Sequence, residues 1–500
     1  QYVTWSGNVY DTEKDLQLKD FNSSLERSTM VGMFGRVAYN YKQKYFLSVT
    51  LRRDASSKFG ENTRWGTFPS YAIAYTFTEE PYMDWARDFL DFGKVRLSYG
   101  KSGKQFEYPY FAFGVLIVNN VPFHGNQTIT PYWPDGLINP KLSWEETKQF
   151  DAGLDLEFFG NRLSFELDYY YRYTDKLLAQ VTLPGDYNAY ISQWQNAYAI
   201  SNQGIELQIK ADLVRSEKLH WDFSFNIARN WNRFEKSNNG MDFTNLASKH
   251  NLNIIGKPLN GIYVYNDQGY YNSQDEVPLY YVNGKRKYLS SLGNQIYTPG
   301  DRRIQDVDGN GQVATMVPLL EDRVYGGSPL PLAFGGIATT LKWKGIDVNL
   351  LFSYKLGRHV LNAGRGASVG TILRANTAEM MVPILADLDK VSFWQKPGDN
   401  TDFPINELEN GKNNFATNLK SNVEKINYLK LKSISIGYML PVFPKQSKHY
   451  ARVFMSVENV FTITNSSSPD PESIDIVTGV DSNNNYPLAT RYTLGLTLNL

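Results

Sequence analysis

The residues whose types and spacing come closest to a known chemistry lie in one short run. Asp306, Asp308, Asn310 and Gly311 stand at positions 1, 3, 5 and 6 of the pattern by which an EF-hand loop wraps Ca²⁺ in side-chain oxygens. The bidentate glutamate due at position 12 falls on Val317. The run is therefore either a calcium loop with a reduced ligand set or an Asx/Gly turn held by its own hydrogen bonds. Gly100-Lys101-Ser102 has the ending of a phosphate-binding loop, but Val95 occupies the first glycine position and the run leaves a strand rather than entering a helix. The five histidines, His124, His220, His250, His359 and His449, are scattered, with no HExxH pair and no Gly-x-Ser-x-Gly elbow. No residue set supports covalent or metal-assisted catalysis, and the chain reads as a non-enzyme that requires no cofactor beyond that Ca²⁺ option.

A second group of residues suits binding. Tyr132, Trp133, Tyr187, Tyr190, Trp194, Phe393 and Trp394 lie in long polar stretches. Flat rings beside polar rims stack on sugars or clasp peptides, so these seven are substrate-contact candidates. Packing inside the loops, or against a covering partner, is the alternative role for each.

Composition narrows what could position them. Tyr (34), Phe (28) and Trp (10) bring aromatics to 14% of 500 residues, a bias that suits pleated, half-buried surfaces and membrane interfaces. The mean hydropathy of −0.42 goes with the absence of any run near the roughly 20 apolar residues of a spanning helix. That excludes helical membrane proteins but not barrels, whose strands hide apolar residues in a period of two. Lys+Arg and Asp+Glu balance at 51 each, so no net field favours nucleic acid. There is no cysteine, hence no disulfide or thiol chemistry, and Gln1-Tyr2-Val3 does not open a signal peptide.

Period-two alternation recurs along the whole chain. Leu163, Phe165, Leu167, Tyr169 and Tyr171 alternate with Ser164, Glu166, Asp168 and Arg172; Leu219, Trp221, Phe223, Phe225 and Ile227 alternate with His220, Asp222, Ser224 and Asn226. About thirteen such segments are present, centred near Val37, Val49, Ile73, Leu97, Leu154, Leu167, Leu207, Phe223, Ala338, Leu350, Ile434, Met455 and Leu496, each near the 9–11 residues of a tilted membrane strand. The connections alternate short and long. Short ones are Asn40–Gln43, Thr78–Phe92, Phe159–Asn161, Val214–Lys218, Lys344-Gly345 and Met439–Lys448; long ones are 54–66, 102–146, 174–202, 230–332, 356–425 and 461–490. A soluble sandwich has no reason to sort its loops this way, whereas an up-and-down membrane barrel has short periplasmic turns and long extracellular loops.

The expected fold is thus all-β, a transmembrane antiparallel up-and-down β-barrel in an outer membrane, with residues 1–500 forming the C-terminal part of one barrel domain. The polar faces, carrying Arg36, Arg52, Lys94, Arg96, Glu166, Asp168, Glu206 and Lys210, are expected to point into the lumen. An odd strand count cannot close a bacterial single-chain barrel, and an open edge in lipid leaves backbone groups unsatisfied. Further strands are expected N-terminal to Gln1.

Several segments resemble the SusC/RagA family of TonB-linked outer-membrane proteins. They are Phe34-Gly35-Arg36-Val37-Ala38-Tyr39 with Leu51–Gly60, Arg64–Ser70, Lys94–Gly100, Pro299-Gly300-Asp301 with Asp306–Gly311 and Asp322-Arg323, Tyr428–Lys432 with Gly437–Pro441, and Glu458–Thr464 with Asp470-Pro471-Glu472. They cover nearly the whole chain in the family's order. Two departures are Leu500, where the family commonly ends in Phe, and Asp-Gly-Asn-Gly at 308–311 in place of Asn-Gly-Asp-Gly. The resemblance implies a 22-stranded barrel of which this is the last thirteen strands, with a plug, TonB box and signal peptide outside the chain. It also implies a SusD-like lipoprotein lid, coupling to a TonB-ExbB-ExbD complex through the plug, and import of glycan oligosaccharides or oligopeptides. A passive porin or export barrel is the alternative.

Overall fold

Thirteen strands run antiparallel in one continuous sheet, and each of the thirteen alternating segments is one of them. The computed structural model describes residues 27–107, 112, 116–118, 121–123, 127–129, 132–134, 137–183, 192–237, 243–244, 250–282, 284–291, 294–313, 322–364, 392–405, 412, 416–441, 450–482 and 485–499. The sheet strands are β1 (Met30–Tyr41), β2 (Tyr45–Ser56), β3 (Trp65–Thr76), β4 (Leu90–Lys104) and β5 (Glu145–Phe158). They continue as β6 (Leu163–Thr182), β7 (Ser192–Arg215), β8 (Leu219–Lys236) and β9 (Ala333–Trp343). The last four are β10 (Ile346–Asn362), β11 (Val423–Leu440), β12 (Tyr450–Thr464) and β13 (Arg491–Asn499). Each pairs with its neighbour in sequence, and Val480–Asp481 adds a short parallel strand to the end of β10. No helix among the described residues is long and apolar enough to cross a membrane.

Register converts the period-two pattern into two faces. One cross-strand row runs Tyr45, Tyr75, Val95, Leu154, Leu167, Leu207, Ile227. The row on the opposite face runs Ser48, Ala72, Ser98, Asp151, Tyr170, Gly204, Asn230. A slip of one residue at any hairpin would exchange these rows, so the hydrophobic pattern itself fixes the register. The apolar face stays exposed, with Leu47, Ile73, Leu97 and Tyr169 all open, because lipid rather than protein is its solvent.

The connections sort by end. At one end lie 42–44, 77–89, 159–162, 216–218, 344–345 and 441–449; at the other lie 57–64, 105–144, 183–191, 237–332, 363–422 and 465–490. The connection after β6 is far shorter than the expected 174–202. Pairing of β6 with β7 continues past the bulges at Thr174–Leu178, where Lys176 takes φ 58°, so strands of 20 and 24 residues rise well beyond what the bilayer requires. At the end of the long connections, the described part of 237–332 builds a second layer with its own core: Tyr265, Tyr271, Val277, Leu289, Tyr297, Ile304 and Val313 pack with Leu419 from the following loop. A second cluster, Ile262, Val264, Leu361 and Ala363, seats that layer on the end of β10.

One close approach locks the seam between β8 and β9. A Cβ at Gly335 would lie 2.0 Å from the backbone oxygen of Asn226 and 2.7 Å from the Tyr354 hydroxyl, which itself donates to that same oxygen at 2.8 Å. Because a backbone atom cannot yield as a flexible side chain can, Gly335→Ala is expected to cost about 1–3 kcal/mol, the usual range for overpacking. A lowered temperature for loss of the compact, heat-modifiable band on semi-native gels is the readout; an unchanged temperature would show that the two backbones can part freely.

Candidate functional site

The polar face forms a wall whose charges are paired across strands. Arg96 on β4 sits opposite Gly153 of β5, which in turn sits opposite Asp168 of β6. With no Cβ at Gly153, the guanidinium lies across it: Arg96 donates to Asp155 at 2.8 and 2.7 Å and to Asp168 at 3.0 Å. A Cβ there would stand 2.6 Å from Arg96 Cζ. Arg452 grips Asp347 in the same bidentate manner, and Lys94 lies over the Phe46 ring at 4.7 Å. Lys101 and Glu146, which share the face of Leu97 and Phe150, pair on the other side of the sheet, where Lys176 also reaches Glu146, at 2.7 and 2.8 Å. Arg36 donates to Ser48 Oγ and Arg52 to Asp54, whose carboxyl is buried. The result is a hydrophilic surface on which the cations lie against carboxylates, a hydroxyl or an aromatic ring.

At the end where the long connections gather, two distant sequence motifs meet. Lys430 on β11 points inward, buried, and its Nζ lies 3.1 Å from both Asp470 Oδ2 and Glu472 Oε2 of the last long loop. Lys432 reaches Glu472 at 2.7 Å, and the Ser353 and Tyr428 hydroxyls donate to its other oxygen at 3.2 and 3.3 Å. Burial pushes both carboxyls up. For Asp470, backbone N–H donors of Glu472 and Leu488 with Lys430 outweigh that; for Glu472, Lys432 and Lys430 do, so both sit below the ordinary values of 3.8 and 4.5. This cluster pins loop 465–490 to the inner wall. A comparable buried pair, Lys412 Nζ to Asp301 Oδ2 at 2.7 Å, joins loops 237–332 and 363–422, with Thr298 bonded to both residues.

The predicted binding aromatics separate. Trp194 packs its ring edge-on against Phe106 at 4.9 Å, beside the cluster of Phe59, Phe68, Leu142 and Trp144. Trp394 is 6% exposed, and the Phe393 ring lies tilted against Phe403 at 5.9 Å. These residues are gathered into loop interiors, because a loop standing clear of the membrane needs an apolar core of its own; Trp394 presents no open face for stacking on a ligand. Tyr132 and Trp133 fall on a short strand paired with Leu116–Val118, and Tyr187 and Tyr190 lie outside the described residues.

The acidic run folds as a tight turn. Both oxygens of Asp306 accept backbone N–H groups, from Gly309 and Gly311 at 2.8 Å, and Asp308 accepts from Asn310 at 3.0 Å. Val317 lies outside the described residues, but a third carboxylate arrives from elsewhere. Buried Asp322 accepts the Val307 N–H at 2.9 Å, and oxygens of Asp306, Asp308 and Asp322 lie within 4.8 Å of one another. Sequence spacing missed Asp322 because it sits beyond the twelve-residue window of an EF-hand loop. The only signal was the Asp322-Arg323 pair, already singled out as a motif of another kind.

The family model described as TonB dependent receptor-like, beta-barrel, matches residues 1–360, and the chain belongs to that family. Among its relatives, TonB-dependent receptor P3 of Formosa agariphila is 30% identical, over 95% of this chain and 46% of that protein. TonB-dependent receptor SusC of Bacteroides thetaiotaomicron is 27% identical, over 97% of this chain and 45% of that protein. The chain spans about half the length of the relatives it matches. A solved structure of the RagAB peptide transporter superposes with a TM-score of 0.70 at 23% identity, covering 98% of this chain and 50% of that one, which establishes the fold. The sheet is therefore outer-membrane barrel wall.

The lowered carboxyls fix the sign of a pH response. Stability from the Lys430–Asp470–Glu472 cluster is fully present above the ordinary carboxyl range and is lost as pH falls through the lowered folded values. Limited proteolysis of loop 465–490 at graded pH should show protection that fades only below that range. Lys430→Met should abolish the protection at neutral pH, since stripping a buried pair of one partner costs about 3–5 kcal/mol. Protection unaffected by the substitution would mean that the loop is held by other contacts.

Proposed function

We propose that this chain supplies wall and extracellular mouth to a TonB-dependent outer-membrane importer of the SusC type. The observation that carries this is the sorted sheet: thirteen antiparallel strands with one polar face, and connections that sort by length to its two ends. Among the described residues β1 and β13 each have a neighbour on one side only. An edge in hydrocarbon costs several kcal/mol per unpaired group, so further strands complete the barrel, 22 in the family's pattern. A plug outside the described residues blocks the lumen and is pulled by a TonB-ExbB-ExbD complex, and a SusD-like lipoprotein covers the loop assembly. Outer-membrane lipid bathes the apolar face, and cargo is glycan oligosaccharide or oligopeptide. The barrel performs no covalent step; its residues orient, hydrate and release. The relatives, being TonB-dependent receptors, support energy coupling over the passive porin or export reading.

In cells carrying the full-length protein, deletion of TonB is expected to abolish uptake of the cargo while leaving the barrel in the membrane. Uptake that persists without TonB would establish the passive reading. External protease should cut within 237–332 and spare 159–162, and the reverse would invert the orientation.

A second reading concerns Asp306, Asp308 and Asn310, and rests on Asp322 completing a three-carboxylate cup. Ca²⁺ held there ties 306–311 to 322. Added calcium should then slow proteolysis of loop 237–332, and Asp308→Ala should remove that effect. Equal rates with calcium and with chelator would leave a hydrogen-bonded turn that needs no ion.

A further inference from the structure

A cavity of about 580 Å³ opens between loops 237–332 and 363–422. Its size falls within the range of about 300–1,000 Å³ typical of small-ligand sites. Three segments build it: Asp267–Tyr270 with Arg302 and Arg303, residues 398–403, and residues 419–422. Each is tied to another. Arg302 donates to Asp267 Oδ2 at 2.8 Å, while Asp267 Oδ1 accepts the Ser421 N–H at 2.9 Å. The Tyr270 hydroxyl donates to the Thr401 carbonyl at 3.1 Å, and the Gly398 N–H donates to Asn272 Oδ1 at 2.7 Å. The walls are thus set before any ligand arrives, which spares binding the cost of ordering them.

The groups left over define the guest. Gln268, Arg303 and Asn400 are exposed in this lining, and their side chains make no hydrogen bond to a described residue. Asn272 has its amide N–H₂ uncommitted, and Glu276 spends only Oε2, on the Asn272 N–H. Amides offer a donor and an acceptor side by side, Arg303 only donates, and Glu276 only accepts. A guest rich in hydroxyls matches that mixture, since every hydroxyl both donates and accepts. A charged guest of either sign meets a like charge, since the lining carries Arg303 as well as Glu276, Asp399 and Asp402. A guest led by large apolar side chains finds little, because Phe403 and Leu419 are buried and the Tyr270 ring already carries the Arg302 guanidinium at 5.4 Å.

We propose that this cavity is a surface docking site for an uncharged saccharide, one short segment of an oligosaccharide chain. This rests on the import reading in one respect, that these loops face outward; the cavity would hold cargo or its parent polymer at the cell surface before entry.

The test uses the purified full-length protein in detergent on an array of neutral glycans and, in parallel, an array of oligopeptides. The variants are the double substitution Arg303→Ala with Asn400→Ala, and Gln268→Ala alone. These residues are exposed, so retention of the heat-modifiable band confirms folding for each. Glycan binding by the native protein that weakens about tenfold or more in the double variant is the expected result. Three results overturn the proposal: no glycan bound, glycan binding indifferent to the variants, or oligopeptide binding that depends on these same residues. TonB-dependent uptake is measured separately on the same variants. Uptake that survives while array binding shows no dependence on the cavity removes the docking site and leaves import standing; array binding that holds while uptake proves TonB-independent does the reverse.

Discussion

Inside a bilayer no water is at hand to accept a hydrogen bond from a stray amide, and every backbone N–H and C=O must find its partner in the protein. An antiparallel ladder closed on itself meets that demand, and most of the architecture follows from it. Neighbouring strands are consecutive in sequence, whether a short turn or a long loop joins them, and the ladder runs unbroken across the described sheet. Gly335 belongs here too: with no side chain it lets the Tyr354 hydroxyl reach the Asn226 carbonyl beside the seam. Among the described residues, β1 and β13 have a neighbour on one side only, and the same demand requires each to find a second.

Once strands leave the membrane the demand relaxes and ordinary protein packing takes over. The loops bury tyrosines and aliphatics in small cores, and they anchor to one another through charges taken fully out of water. Lys430 with Asp470 and Glu472, and Lys412 with Asp301, join segments that lie far apart in sequence. Ion pairs along the wall, such as Arg96 with Asp155 and Asp168, keep the inner face wet.

The strands were legible because alternation is a local property: two residues decide a face, and ten decide a strand. All thirteen strands could therefore be placed from residue types alone, and the loops sorted by length. The upper ends of β6 and β7 were not, because their pairing persists in water, through bulges and a left-handed Lys176, after the lipid-facing pattern has ended. The loop interiors were less legible still. That Trp394 lies buried, or that Asp322 closes the cup begun by Asp306 and Asp308, depends on how chain segments return in space, and no short-range period encodes that return. The motifs gave partial help. Tyr428–Lys432 and Asp470–Glu472 were recognisable separately as family runs, but that one neutralises the other is visible only in the fold.

Why the mouth should be fixed by buried ion pairs rather than by more apolar core is a question of direction, not of strength. A buried pair gains little net free energy over well-packed hydrocarbon, since desolvation offsets most of the Coulomb attraction. What it adds is geometry. Apolar faces slide over one another at small cost, whereas an ammonium held between two carboxylates, as Lys430 is, loses far more when displaced. A loop assembly standing over a wide lumen has no neighbouring strands to hold its register, and directional contacts do that work. They also leave the polar cavity between the two longest loops intact, because its walls are secured by Arg302, Asp267 and Tyr270 instead of by collapse onto a common core. A mouth built this way can stay open, wet and shaped while the membrane portion below it answers only to the backbone.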